Sequence, residues 1–159
     1  MTNLKTLAAG AVLAIATSAS AVMAGNKETV QVFYDLLSNP ASEAHAQALT
    51  GVLAQDWASI GDYSGKTKSM EAFLGQMGGF GKLIPDLNWK VEAMHEAGNF
   101  VTVRSRATGT PVAPMFGVDG QGRGFDILTI DIHEVKDGKI VETYHVEDWA
   151  GALQQLSGQ

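Results

Sequence analysis

Residues 125–147 read FDILTIDIHEVKDGKIVETYHVE, and the fold turns on how this stretch is taken. Leu128, Ile130 and Ile132 alternate with Thr129, Asp131 and His133, and Phe125 and Ile127 lie ahead of the polar set on its own face. Strict alternation at period two places the two sets on opposite faces of a β-strand. Asp137-Gly138 is a hairpin dipeptide, because both central residues of the tightest turns need positive φ. A second strand, Lys139 to Val146, therefore folds back on the first. The hairpin sets His145 roughly opposite Asp131, and a one-residue bulge at the glycine would move that pairing by one.

Working outward, the segment before this hairpin also reads as strands. Asn88 to Glu96 is a candidate, Gly98-Asn99 a turn, and Phe100 to Thr108 a strand with Val101, Val103 and Ser105 on one face. Earlier still the period is helical. Val30, Phe33, Tyr34 and Leu37 form one stripe within Lys27 to Leu37, and a second helix follows a Ser42 cap. A third starts after Ser69, carries Met70, Phe73, Leu74 and Met77, and is expected to end at Gly78-Gly79. A short last helix begins near Asp148, whose position is that of an N-cap. Helices first and a meander of antiparallel strands after define an α+β domain.

The first residues have another character. Lys5, an apolar run from Leu7 to Ala21, and the small-x-small sites Ala19-Ser20-Ala21 and Val22-Met23-Ala24 make up an export signal. Residues 1–24 are read as a signal peptide and 25–159 as one domain working in the periplasm or outside the cell. The run is too short and too alanine-rich for a membrane anchor. Lys5 is the signal's one charged residue, so the remainder holds 10 Lys and Arg against 17 Asp and Glu, a net charge of −7. Such acidity opposes nucleic acid or anionic lipid as partner. With no cysteine, the chain has no disulfide, thiolate nucleophile or Cys-based metal site.

Chemistry concentrates on the hairpin. An imidazole backed by a carboxylate is equipped for proton transfer near neutral pH, so His145 is read as a base and Asp131 as the group that accepts its N–H and fixes its tautomer. The plainer reading is a cross-strand ion pair on an exposed face. Asp131, His133 and His145 together have the composition of an open three-ligand metal site, with His133 near the wet end of the hairpin. No metal-binding spacing such as HExxH is present, and no metal is expected. Residues 115–124 (MFGVDGQGRG) hold four glycines, but a strand and not a helix follows, so they read as a loop at the mouth of a pocket and not as a phosphate cradle. No GxSxG elbow supports acyl-enzyme chemistry.

Three segments in order resemble the SnoaL-like polyketide cyclases, or ester cyclases, of the NTF2-like superfamily. They are residues 30–39 (VQVFYDLLSN), Ile84-Pro85-Asp86-Leu87, and residues 137–158 (DGKIVETYHVEDWAGALQQLSG). The resemblance implies a cone in which a curved antiparallel sheet wraps over the N-terminal helices and encloses a pocket. It implies acid–base chemistry without a cofactor: a carboxylate takes a proton next to a carbonyl, and a pocket histidine assists as an aldol closure or isomerisation follows. It implies homodimers packed through the outer face of the sheet, which suits Leu128, Ile130 and Ile132. Carried over from DGKI, the family's carboxylate falls on His145 and its pocket histidine on Asp131, so the two residue types are exchanged. Gly109-Thr110-Pro111 departs from relatives that place a histidine after the Gly-Thr. Ser59, after Asp56-Trp57, sits where some cyclases have a polar pocket residue.

The expected function is therefore a cofactor-independent cyclase, isomerase or lyase acting on a small apolar carbonyl or ester compound. His145 and Asp131 would be catalytic, with Ser59, Trp57, Thr129, His133, Phe116 and Asp148 around the substrate. The alternative is an exported protein that binds a small hydrophobic ligand in the same cavity without turning it over.

Overall fold

The computed structural model describes residues 25–159, so the expected signal peptide lies outside the described residues. The amphipathic stripe at the start becomes α1 (Asn26–Ser38), which buries Val30, Phe33, Tyr34, Leu36 and Leu37. Helix α2 (Glu43–Val52) is capped by Ser42, whose hydroxyl accepts the N–H of His45 at 3.3 Å. Helix α3 (Met70–Leu83) is capped by Ser69 through the N–H of Ala72. It does not end at Gly78-Gly79 as expected. Two glycines cost a helix about 1 kcal/mol each, but continuing buries Phe80 behind Phe73 and Met77 and brings Ile84 into the core. Gly81 is needed in that last turn, because a Cβ there would stand 2.9 Å from the backbone nitrogen of Ala41.

The described residues form six strands: β1 (Leu53–Ile60), β2 (Lys68–Ser69), β3 (Asn88–Ala97), β4 (Phe100–Gly109), β5 (Phe125–Lys136) and β6 (Lys139–Glu147). They form one curved, unclosed sheet in the order β2-β1-β6-β5-β4-β3. The meander from β3 to β6 is as the alternation predicts. Strand β1 was not foreseen, and it pairs in parallel with β6, next to the last strand of the chain. Helix α4 (Trp149–Ser157) closes the fold. Asp148 caps it by accepting the N–H of Gly151 at 2.8 Å, and Gly158 ends it in the left-handed conformation. Among the described residues no helix is long and apolar enough to cross a membrane.

The two faces of β5 differ as the sequence requires. Phe125, Ile127, Thr129, Asp131, His133 and Val135 are buried against the helices, while Leu128, Ile130 and Ile132 face outward, 52%, 42% and 39% exposed. The β5–β6 turn is the expected one, with φ of 51° at Asp137 and 73° at Gly138. The bulge is not at the glycine. Lys136 pairs with Lys139 and Val135 with Ile140, but Glu134 pairs with Glu142, which leaves Val141 as the extra residue on β6. Beyond that slip Asp131 pairs with His145. Without it, a turn closed by Lys136 and Lys139 would set Tyr144 opposite Asp131 and send His145 to the outer face.

Candidate active site

A cavity of about 200 Å³ lies between the helices and the inner face of the sheet. Its walls differ in chemistry. The sheet wall is polar: Lys68 from β2, Ser59 from β1, Thr143, His145 and Glu147 from β6, and Asp131 from β5. The opposite wall is apolar, with Phe33 and Leu37 of α1 and Phe73, Met77 and Phe80 of α3, broken only by Gln76. Trp89 and Trp149 complete it. Burial runs in one direction: Asp131 is 3% exposed, whereas the His145 side chain retains 20%. Asp131 is thus the floor and His145 stands toward the mouth.

Asp131 and His145 are cross-strand neighbours, but they do not hold each other. The carboxylate behind His145 is Glu147, two residues on along the same face of β6, with both oxygens 3.0 Å from Nδ1. Asp131 accepts instead the hydroxyl of Tyr34, at 2.7 Å from Oδ2. The orienting role expected of Asp131 therefore belongs to Glu147. The i, i+2 pair on one strand face forms without any demand on the fold, while Asp131 lies deep enough to meet α1.

His133 is not at a wet hairpin end. It is fully buried, with Nε2 2.9 Å from the Tyr34 hydroxyl and Nδ1 3.0 Å from Thr143 Oγ1. The indole Nε1–H of Trp57 donates to the same Thr143 oxygen at 3.0 Å. Tyr34 has one hydroxyl proton and donates it to Asp131, so a neutral His133 donates Nε2–H to Tyr34 and accepts at Nδ1, which fixes the direction of the chain while Asp131 is ionised. Trp57 donates to Thr143, Thr143 to His133 Nδ1, His133 Nε2–H to Tyr34, and Tyr34 to Asp131. Both ring nitrogens of His133 are occupied by protein groups, so it has none to offer a metal. Among the described residues no three His, Asp or Glu side chains group as a metal site.

The electrostatics follow from depth. Burial pushes Asp131 up to about 7, helped by the charge of Glu147 and opposed by the Tyr34 hydrogen bond. Burial holds His133 down at about 3, so its imidazole is neutral. Burial and the adjacent Asp131 carry the Tyr34 phenol well above its usual range. His145 moves the other way from His133. Its hydrogen bond to Glu147 outweighs partial burial and raises it above the ordinary histidine value. The cavity thus contains a carboxyl group that titrates near neutrality and an imidazole that keeps its proton to higher pH than usual.

The remaining expected residues are placed as follows. Ser59 lines the cavity. Trp57 and Thr129 stand behind it, and the Thr129 hydroxyl accepts the indole N–H of Trp89 at 3.1 Å. Phe116 is one ring removed: it is exposed and its ring meets Trp149, which does line the cavity, at 6.0 Å. Asp148 is engaged as the cap of α4 and is not among the lining residues. Tyr34, Lys68, Thr143 and Glu147 were not singled out from the sequence. Thr143 and Glu147 were legible, since residues 143, 145 and 147 alternate on one strand face, whereas Tyr34 reads as an ordinary member of a helical core stripe.

A curved sheet over helices, with a one-ended cavity holding a buried carboxyl group and an imidazole on adjacent strands, defines the class as an NTF2-like, ketosteroid isomerase-like fold. The family model of the SnoaL-like polyketide cyclases matches residues 28–156, and the chain belongs to that family. A comparison with curated protein sequences finds no match. Among solved structures, IdmH of Streptomyces antibioticus, assigned to the polyketide cyclases, is 25% identical over 82% of this chain and 97% of its own, with a TM-score of 0.71. A SnoaL-like protein of Jannaschia sp. CCS1 is 22% identical over 84% of this chain and 92% of its own, at 0.72. A Catenulispora acidiphila protein with a ketosteroid isomerase-like fold, solved with trimethylamine, is 18% identical over 82% and 92%, at 0.64. The last two likenesses bear on the fold alone.

Proposed function

We propose that this chain is an exported, cofactor-independent acid–base enzyme of the cyclase, isomerase or lyase type, acting on a small carbonyl compound. One observation carries the reading: Asp131, buried and poised to titrate near pH 7, faces the same cavity as His145, whose proton Glu147 stabilises. Two groups whose environments separate their acidities are the equipment of a general base and a general acid. Asp131 takes a proton from the carbon beside the carbonyl, and His145 gives one to the developing enolate oxygen. The roles read from the sequence are thereby exchanged, with the carboxylate as base and the imidazole as acid, and Ser59 is available to hydrogen-bond the substrate.

The pH dependence follows. Turnover rises as Asp131 ionises through about 7 and falls again as His145 loses its proton, a bell-shaped profile. The same reading pairs two copies through the outer face of β5, at Leu128, Ile130 and Ile132.

The alternative function, binding without turnover, is favoured by the aromatic wall alone and is separated by one assay. Proton NMR in D2O follows deuterium entering the α-carbon of a panel of ketones and keto acids, which reads proton abstraction whatever the later product. Wild type is expected to accelerate the exchange, and Asp131→Asn to lose it by about 10²–10⁴-fold while still binding ligand. Ligands that bind tightly with no exchange would sink the enzyme reading. Native mass spectrometry of the same preparation checks the pairing, which a single-copy mass at micromolar concentration overturns.

A further inference from the structure

The cavity contains one charge that the acid–base reading does not use. Lys68 lines it from β2, half-buried, and burial lowers the pKa of its ammonium group. Among the described residues no carboxylate lies within 4 Å of it. Glu147 is near enough for its charge to act on Lys68, but both of its oxygens are directed at His145. His145 and Glu147 hold each other, and Asp131 stands three strands away on β5, so Lys68 is a cation of the mouth with no carboxylate in contact. A partly desolvated ammonium without an anion is unfavourable unless something supplies one.

Its position is defined by the sheet. Lys68 pairs with Ser59 on β1, and Ser59 pairs with Thr143 on β6. Three strand spacings of about 4.8 Å separate β2 from β5, where Asp131 stands. The anion site and the base thus lie at opposite ends of one polar wall, with the apolar wall of α1 and α3 facing both. The volume bounds what spans them. About 200 Å³ is below the roughly 300–1,000 Å³ usual for sites that enclose drug-sized ligands. At about 30 Å³ for each water displaced, that is on the order of seven waters, the room of one ring or a short chain.

We infer that the substrate is a compact keto acid, of one ring or a short chain, whose carboxylate is held by Lys68 while its carbonyl faces His145 and its apolar body lies on α1 and α3. This deepens the acid–base reading and rests on it for the reaction, but the anion site itself stands on the wall geometry and on Lys68. No proton moves at Lys68, which positions the ligand by charge.

The test uses 3-benzoylpropionate, its methyl ester and anthraquinone-2-carboxylate, with binding followed by the fluorescence of Trp89 and Trp149. The free acid is expected to bind wild type about tenfold more tightly than the ester, the worth of one charge-assisted contact. Lys68→Met should remove that preference and leave ester binding unchanged, and Lys68→Arg should retain part of it. Unchanged ester binding also certifies that the variant is folded. In the deuterium-exchange assay, Lys68→Met should raise KM for the acid and spare kcat. The three-ring acid should bind at least tenfold more weakly than the one-ring acid.

Equal binding of acid and ester to wild type, equal loss of both in Lys68→Met, or no saturable binding of either overturns the anion site. Tight binding of the three-ring acid overturns the size limit. Failure of the two readings is distinguishable. Lys68-dependent binding without exchange removes the enzyme and keeps the site, and exchange that favours the ester does the reverse.

Discussion

One imidazole lies behind the floor of the cavity and another at its mouth, and the same side chain serves opposite ends in the two places. His133, behind the floor and not among the lining residues, is fully buried, engaged at both nitrogens and held neutral, at about 3. His145 at the mouth keeps 20% of its side-chain exposure and is raised by Glu147. Both lie on the inner face of the same hairpin. The difference is depth and partner: His133 meets only neutral hydroxyls, while His145 meets a carboxylate. Residue type alone therefore assigns neither role. The neutral imidazole completes the hydrogen-bond chain behind Asp131, and the mouth imidazole has a proton to give.

The largest test of this comparison is Asp131→Asn studied against pH, apart from its effect on exchange. His133 has a folded pKa of about 3 against 6.5, so its contribution to stability is present above 6.5 and is lost as pH falls toward 3. Asp131 has a folded pKa of about 7 against 3.8, so its contribution is present below 3.8 and is lost as pH rises through 7. Between about pH 4 and 6.5 folding releases one proton from His133 and takes up one at Asp131, and the two slopes cancel. Asp131→Asn removes one of them. Its stability relative to wild type should climb with pH across that window by about 1.4 kcal/mol per unit, measured by urea unfolding at a series of pH values. Parallel curves for variant and wild type would break the account of the floor.

A smaller effect is expected at Thr143. Thr143→Val keeps the shape but leaves the Trp57 N–H without an acceptor and His133 Nδ1 without a donor, both buried. The cost should be about 2 kcal/mol in urea unfolding. Nitrogen shifts of the His133 ring should keep its Nε2–H tautomer at pH above 7, because ionised Asp131 still holds the Tyr34 proton. A mixture of tautomers there would mean that Asp131 does not set the direction of the chain.

The least perturbing test is Glu147→Gln, read by NMR titration of both rings. The His145 pKa should fall, because its main support is removed, while His133 should not begin to titrate above pH 5 in either protein. If His145 does not move, Glu147 is not what separates the two imidazoles.

Much of this was legible in the sequence. The alternation in residues 125–135 assigned every side chain of β5 to its face, since period two leaves no third choice once one face is apolar. The meander, the turn at Asp137-Gly138 and the caps at Ser42 and Asp148 follow from equally local chemistry. Strand β1 did not. Its sequence LAQDWASI has weak strand formers at Ala54, Gln55 and Asp56, its alternation is broken between Leu53 and Ala58, and its partner is β6, more than 80 residues away. Helix α3 ran past Gly78-Gly79 for the same kind of reason, because burial of Phe80 outweighs local propensity.

At the site, the sequence by itself determined that Asp131 and His133 share the inner face of β5 and that Thr143, His145 and Glu147 share one face of β6. Only the tertiary structure decided what those residues do. The extra residue at Val141 shifts the register by one and sets His145, not Tyr144, inside. Helix α1 then brings Tyr34 to Asp131 from 97 positions away, which leaves His145 to its own strand neighbour. Strand periodicity is a property of neighbouring residues and can be read from them. Register and depth depend on what the rest of the chain packs against the strand, and they set the protonation of both groups.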